Sequence, residues 1–573
     1  MKTVVATLNA KYIHMNLAIR YLKAYAEPDF PVELAEYTIK DPVLHIVADL
    51  IERKPDVIGF SCYIWNIEET IRVIEILKKI NPDIKIVLGG PEVSYDVFYW
   101  LERLKEADCI VMGEGEETFK ELLSCFKNDE PLEIVRGIAF RKDGKVKINP
   151  ARPKLNLRNH PSPFRFKEDI PDLGKRIVYV ETSRGCPFQC QFCLSSIETG
   201  VRFFDREKVK EDIRYLMKNG ARTIKFVDRT FNISRSYAMD MFQFLIDEHV
   251  PGTVFQFEIT ADIMKPEVIE FLNQNAPPGL FRFEIGVQST NDLTNELVKR
   301  KQNFEKLART VRLIREGGKI VQHLDLIAGL PEENYDSFRK TFNDVFALRP
   351  EELQLGFLKM LRGTGLRHQA KQWDYVYMDR APYEILKNNV LSFDDITRLK
   401  KAEDILDKYW NRHRMDATVE FLVTYAFETP FDFFQQFGIY WADRGWSKIG
   451  HQLENLFTRL LEFLRHAEIR DLDIALALMK FDYLSRLKYK PRKIWWEDGL
   501  TKEERAEIFR GLPQYDLPQA LKNLSEREWM KHVVAEKMPI DLPAFLQSKK
   551  IVREDHYLLF YYDGKGECRY FQI

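Results

Sequence analysis

The chain has 573 residues, 45% of them hydrophobic and 30% charged, with a formal net charge of -1. At roughly 150 residues per domain this length predicts about three or four globular units, and the near-neutral charge excludes a general electrostatic pull toward nucleic acid or an anionic membrane. Seven cysteines are too few for a disulfide scaffold of this size, no apolar run reaches the roughly 18 residues of a membrane span, and Met1–Thr7 lacks a signal-peptide core, so the expected location is the cytoplasm.

From residue 1 to 127, β-rich runs at 3–7, 32–39, 56–63, 85–88 and 109–112 alternate with amphipathic helical stretches. This pattern predicts a doubly wound, Rossmann-like α/β domain whose parallel sheet is covered on both faces. The strands end in polar or glycine-bearing loops: Asn9 to His14, Ser61 to Asn66, Gly89-Gly90-Pro91-Glu92 and Gly113-Glu114-Gly115-Glu116. Open sheets of this kind bind ligands at the carboxyl ends of their strands, so these loops are expected to line one crevice. No G-x-G-x-x-G opens the first helix, which disfavours a dinucleotide there.

Residues 128–175 read as a hairpin around Asp143-Gly144 and an extended linker. From 176 to 366 alternation resumes, with strands expected at 177–181, 223–227, 253–259, 281–287, 320–326 and 352–358. Six such units suggest a partial (βα)6 barrel with its active site at the strands' carboxyl ends. Residues 367–573 read as a mostly helical C-terminal domain of unknown role, closing in a hairpin over 557–571, and carry no recognisable catalytic motif. The basic and aromatic stretch Arg486 to Trp496 is better explained by a solvated basic face beside a tryptophan anchor than by a nucleic-acid contact.

Cys186-Pro187-Phe188-Gln189-Cys190-Gln191-Phe192-Cys193 places three thiolates on a short loop after the first barrel strand, close enough to hold three irons of one cubane. A structural zinc site would need a fourth ligand at comparable spacing, and none is nearby. Cys62, Cys109, Cys125 and Cys568 are scattered and read as small buried hydrophobes.

The C-x3-C-x2-C spacing, with aromatic Phe192 before the last cysteine, resembles the radical S-adenosylmethionine superfamily. That resemblance implies a 4Fe-4S cluster on Cys186, Cys190 and Cys193, with S-adenosylmethionine on the open iron. It also implies an external reducing protein of flavodoxin or ferredoxin type. Asp228 occupies roughly the place of the superfamily's small polar patch facing the amino group, although the glycine-glycine-glutamate form is absent. Glu284-Ile285-Gly286-Val287-Gln288-Ser289 and Leu297-Val298-Lys299-Arg300 look like the fourth-strand segment and the following helix start. By that resemblance Glu284, Gln288 and Ser289 lie at the nucleoside and Arg300 pairs with the methionine carboxylate, a task suited to a planar guanidinium; the alternative is a solvated Arg300 in the run Lys299-Arg300-Lys301. Asp325 to Glu333 and Leu361 to Gly365 are similar to the fifth- and sixth-strand endings.

A doubly wound domain ahead of such a barrel, with its glycine loops and the Gly137 to Asn149 hairpin, resembles the cobalamin-dependent radical S-adenosylmethionine class. Cobalamin would then lie against Asn9, His14, Ser61, Gly89, Gly90, Gly113 and Glu114. The Asp-x-His-x-x-Gly sequence of methionine-synthase-type domains is missing, so the lower face of cobalt is open between His14 and a base-off state over Asn9, Tyr12 or water. The resemblance implies methylation of a carbon centre through a 5'-deoxyadenosyl radical and methylcobalamin. Alternatives are radical-driven oxidation, cyclisation or rearrangement with the same cofactors, and a non-catalytic sensor or carrier. Neither substrate nor oligomeric state is legible.

Overall fold

A computed structural model describes residues 1–198, 200–497, 499–515 and 517–573. The chain divides into two compact units, one of residues 1–351 with 355–393 and one of residues 352–354 with 394–573. The expected cobalamin-type sheet and the barrel thus share a unit, which continues past residue 366.

In the first unit, strands β1 (Thr3–Asn9), β2 (Val32–Thr38), β3 (Val57–Ser61), β4 (Lys85–Gly89), β5 (Cys109–Val111), β6 (Ile138–Lys142) and β7 (Lys145–Ile148) form one sheet in the order β2-β1-β3-β4-β5-β6-β7. The first five are parallel; β6 pairs antiparallel with β5 and β7 with β6. The expected hairpin is therefore the edge of the sheet and not a separate piece. Successive side chains leave a strand on opposite faces, and both faces are covered. Val4, Ala6, Leu8, Ile58 and Phe60 pack with Trp100 on one side, while Val5, Val57 and Val87 pack with Phe119 and Leu122 on the other. Burial on both faces is why these strands read as unbroken apolar runs.

The barrel consists of β8 (Ile177–Val180), β11 (Thr223–Phe226), β12 (Val254–Ile259), β13 (Phe281–Gln288), β14 (Val321–Ala328) and β15 (Glu352–Phe357), in the order β15-β14-β13-β12-β11-β8. Between β8 and β11 lies an antiparallel ribbon, β9 (Ser183–Cys186) with β10 (Gly200–Phe203), which the sequence reading missed. Along β11 to β14, buried residues alternate with partly exposed ones. Phe257, Phe281 and Phe283 lie within 6 Å of the Phe242 ring on the outer helix Arg235–Glu248. The alternate residues, Lys225, Gln256, Glu258, Arg282, Glu284, His323 and Asp325, therefore face the lumen.

Sheet and barrel are stitched at one seam. Ile177 N donates to Ile13 O (2.7 Å) and Met15 N to Ile177 O (3.2 Å). Glu36 receives Arg20 (3.0 Å) and Arg176 (2.6 Å), and Arg20 also reaches Asp169 (2.7 Å). Burial alone would raise the Glu36 carboxyl, but the two guanidiniums pull it down to about 2.

The second unit is largely helical, with an aromatic core in which Phe433 and Phe437 pack beside Phe463 and Trp441 packs edge-on to Phe437. Its sheet has three strands, β16 (Val533–Ile540), β17 (Arg553–Tyr562) and β18 (Cys568–Gln572). The expected hairpin is β17 with β18; β16 falls within the stretch expected to be mostly helical. Trp496 is buried and donates to Glu536 (3.0 Å), while Lys490 Nζ caps the carbonyls of Met530 (2.6 Å) and Val533 (2.9 Å). In this stretch the tryptophan packs inward and Lys490 serves the fold. No helix among the described residues is long and apolar enough to cross a membrane.

Candidate functional site

The cysteine loop is held at both ends. Cys186 lies on the β9–β10 ribbon opposite Gly200. Gln191 N donates to Val298 O (2.9 Å), and Leu366 N donates to Gln191 O (2.9 Å). Cys190 is buried, while Phe192, Cys186 and Cys193 are half-buried. Among the described residues no three His, Cys, Asp or Glu side chains converge on one point as a single metal ion requires. A cubane makes a different demand, one thiolate per iron, which three cysteines on an anchored loop fit.

Arg300 folds inward and is not solvated in the basic run. Its guanidinium donates to Gly286 O and to Gln302 Oε1 (3.0 Å) and lies 3.9 Å from Cys190 Sγ. Gln288, with a left-handed φ of 68°, ends β13 beside it, and its Oε1 is buried without a hydrogen-bond partner among the described residues. Glu284 lies deeper in the lumen, taking both its hydrogen bonds from Lys225 Nζ (2.8 and 2.7 Å).

Two expectations need correction. Asp228 is 1% exposed and accepts from Thr182 N (3.1 Å), Thr182 Oγ1 (2.6 Å) and Ser183 Oγ. Burial pushes its carboxyl up to about 6 against those donors. It anchors the start of the cysteine ribbon and has no face left for a ligand. Ser289 is fully buried and donates to Glu333 Oε1 (2.6 Å), which commits it to the packing beneath β13.

Within the first unit a cavity of about 750 Å³ opens between the carboxyl ends of β1, β3, β4 and β5 and the mouth of the barrel. Asn9, His14, Ser61, Gly89, Gly90, Gly113 and Glu114 line it, so the loops expected to form one crevice do so. A Cβ at Gly113 would meet nothing within 4 Å, and one at Gly89 only Val111 at 3.9 Å. These glycines border open space that side chains would fill, as a cradle for a large planar group requires. His14 Nδ1 is 2.7 Å from Tyr179 OH, which leaves only Nε2 for any other ligand; burial, then Lys11, lowers its pKa and keeps the ring neutral. Glu114 departs from its expected role in part. Its carboxylate is taken by Arg202, Arg184 (3.4 Å) and Leu155 N (2.8 Å), a brace between the sheet and the β9–β10 ribbon.

The opposite wall was missed by sequence reasoning: Tyr179, Glu181, Arg184, Lys225, Arg229 and Glu258, with the Tyr63 and Trp65 rings stacked 4.3 Å apart at the crevice side. The period-two alternation on β11 and β12 was the available signal.

Three family models match the chain: a B12 binding domain over residues 3–123, the radical SAM superfamily over 180–345, and a protein family of unknown function (DUF4080) over 371–560. An uncharacterized methyltransferase of Pyrococcus horikoshii is 30% identical over 237 residues, 39% of this chain and 51% of that protein. An anaerobic magnesium-protoporphyrin IX monomethyl ester cyclase of Rubrivivax gelatinosus is 28% identical over 339 residues, 56% of this chain and 59% of that protein. The chain thus spans between half and three fifths of these relatives. The structure of the cobalamin-dependent S-adenosylmethionine radical enzyme OxsB, with aqua-cobalamin and S-adenosylmethionine bound, superposes with a TM-score of 0.56 at 18% identity, covering 92% of this chain and 82% of that one, and so shares the fold. A B12 binding domain and a radical SAM superfamily domain thus lie together in one compact unit of the chain, and the cofactors they take are a 4Fe-4S cluster, S-adenosylmethionine and cobalamin.

Proposed function

We propose that the chain is a radical methyltransferase that places a methyl group on a carbon centre of a small substrate held in the cavity between sheet and barrel. One observation carries the reading: a single cavity is bordered by the glycine loops of the B12-binding sheet and by the barrel strands next to the cysteine loop. When bound, the cluster with S-adenosylmethionine supplies a hydrogen-abstracting radical and the corrin a transferable methyl group.

In this reading Cys186, Cys190 and Cys193 hold the cluster, with Phe192 packed beside it. Arg300 receives the methionine carboxylate, and Glu284 and Gln288 serve the nucleoside side of the barrel. Asn9, Ser61, Gly89, Gly90 and Gly113 would hold the corrin, and His14 would offer it Nε2. Free cysteines and an oxygen-labile cluster fit the cytoplasm, where a flavodoxin- or ferredoxin-type protein would supply electrons. Similarity to the Rubrivivax cyclase over 56% of the chain supports a second reading, cyclisation with the same cofactors.

The test is anaerobic reconstitution with iron, sulfide and cobalamin, followed by incubation with S-adenosylmethionine, reductant and a metabolite pool. Methylation yields corrin absorption, 5'-deoxyadenosine, S-adenosylhomocysteine and a product 14 mass units heavier. Absence of corrin absorption overturns the proposal; 5'-deoxyadenosine without S-adenosylhomocysteine moves it to cyclisation.

A further inference from the structure

Five carboxylates line the cavity: Glu114, Glu116, Glu181, Glu198 and Glu258. Four have partners. Glu114 and Glu116 engage Arg184 (3.4 and 2.7 Å), Glu181 also engages Arg184 (3.0 Å), and Glu198 engages Lys154 (3.4 Å). Glu258 forms no hydrogen bond or ion pair among the described residues. Lys225, its neighbour across β11, gives its ammonium to Glu284. Glu258 is partly buried near the carboxyl end of β12, so its carboxyl has given up much of its hydration without an internal substitute. A carboxylate in that position is costly unless a ligand supplies the missing donor.

We propose that Glu258 is the specificity-determining residue of this cavity, accepting a charged hydrogen bond from a protonated amine on the substrate. The proposal rests on the reading of the cavity as the substrate site and names the substrate class: a small molecule bearing a cationic nitrogen close to the carbon that reacts. An anion is disfavoured because it would meet the unpartnered Glu258 carboxylate itself, while the Lys225 ammonium nearby is already given to Glu284. A neutral hydroxyl would give a weaker bond than an ammonium. Tyr63, Trp65, Tyr95 and Tyr179 on the same lining offer aromatic faces, which also attract a cation. Burial raises the Glu258 carboxyl; Arg229 and Lys225 oppose this, and Glu284 and Asp325 reinforce it. Amine binding should therefore weaken as pH falls and Glu258 takes up a proton.

The experiment uses reconstituted full-length protein and three probes of one skeleton, benzylamine, benzyl alcohol and benzoate, measured by calorimetry between pH 6 and 8. The wild type is expected to prefer benzylamine by about tenfold or more, the range of one charge-assisted hydrogen bond. Glu258→Gln should abolish the preference and its pH dependence, and Glu258→Asp should restore part of it. Cluster absorption should be unchanged in Glu258→Gln. Lack of preference among the probes, failure of all three to bind, or a preference that survives Glu258→Gln overturns the proposal. Weakened hydroxocobalamin uptake with intact amine binding would also overturn it, making Glu258 a corrin contact. If the wild type takes up no corrin and turns over no S-adenosylmethionine, the proposed function fails while amine selectivity can still be read.

Discussion

The two walls of the cavity are built on opposite principles. On the sheet side the lining is carried on loops, with glycines at Gly89, Gly90, Gly113 and Gly115 between side chains such as Asn9, Ser61, Tyr63 and Trp65; on the barrel side it is a row of ionisable residues, Lys225 and Glu258 on strands and Arg229 in the turn after β11, with Tyr179. A wall of glycine-bearing loops offers shape and generic hydrogen bonds to a large invariant partner. A side-chain wall can be altered one residue at a time without disturbing the strands that carry it, and selectivity for a small molecule belongs there.

The largest effect that could break this contrast comes from a pair of variants. Changing Cys186, Cys190 and Cys193 together to alanine should remove all bound iron and its charge-transfer absorption while leaving corrin uptake. Gly89→Phe, which meets no strained φ and has open space before it, should abolish corrin uptake while iron content stays at that of the wild type. If either substitution removes both cofactors, the walls do not act separately. The seam should show the next effect. Glu36 is held at about 2 against an ordinary 4.5, so its contribution is fully present above pH 4.5 and is lost as pH falls toward 2; the shift corresponds to about 3 kcal/mol. Glu36→Gln should lower stability by about that amount at pH 7, as read by chemical denaturation, and should flatten the acid limb of the curve. The smallest effect sharpens the barrel side: Arg300→Ala should weaken S-adenosylmethionine binding by about one to two decades, the range of a charged hydrogen bond, with little loss of fold.

What was legible in the sequence follows the same division. The three cysteines, the glycine loops and the alternation of strands and helices are local signals, and the structure brings seven of the expected crevice residues, Asn9, His14, Ser61, Gly89, Gly90, Gly113 and Glu114, to one cavity. The β9–β10 ribbon was not legible, because Ser183-Arg184-Gly185-Cys186 has little strand propensity and is held by its partner across the sheet. Gly185 has a φ of 98°, and a Cβ there would lie 2.0 Å from Gly200 O, a constraint invisible without the partner. Asp228 and Ser289 sit at positions the resemblance singles out, yet their orientation depends on long-range contacts with Thr182 and Glu333. Glu258 was missed because one carboxyl among 87 acidic residues stands out only when its neighbours are seen to be paired elsewhere.

The backbone bonds joining Ile13 and Met15 to Ile177 bear on traffic as well as on stability. A carrier domain that shuttles between stations must be free to leave each of them, and here the loop following the first strand of the sheet is hydrogen-bonded to the first strand of the barrel. On the proposed reading, a group held by the loops of the sheet would stay at the barrel mouth, and small molecules would come to it.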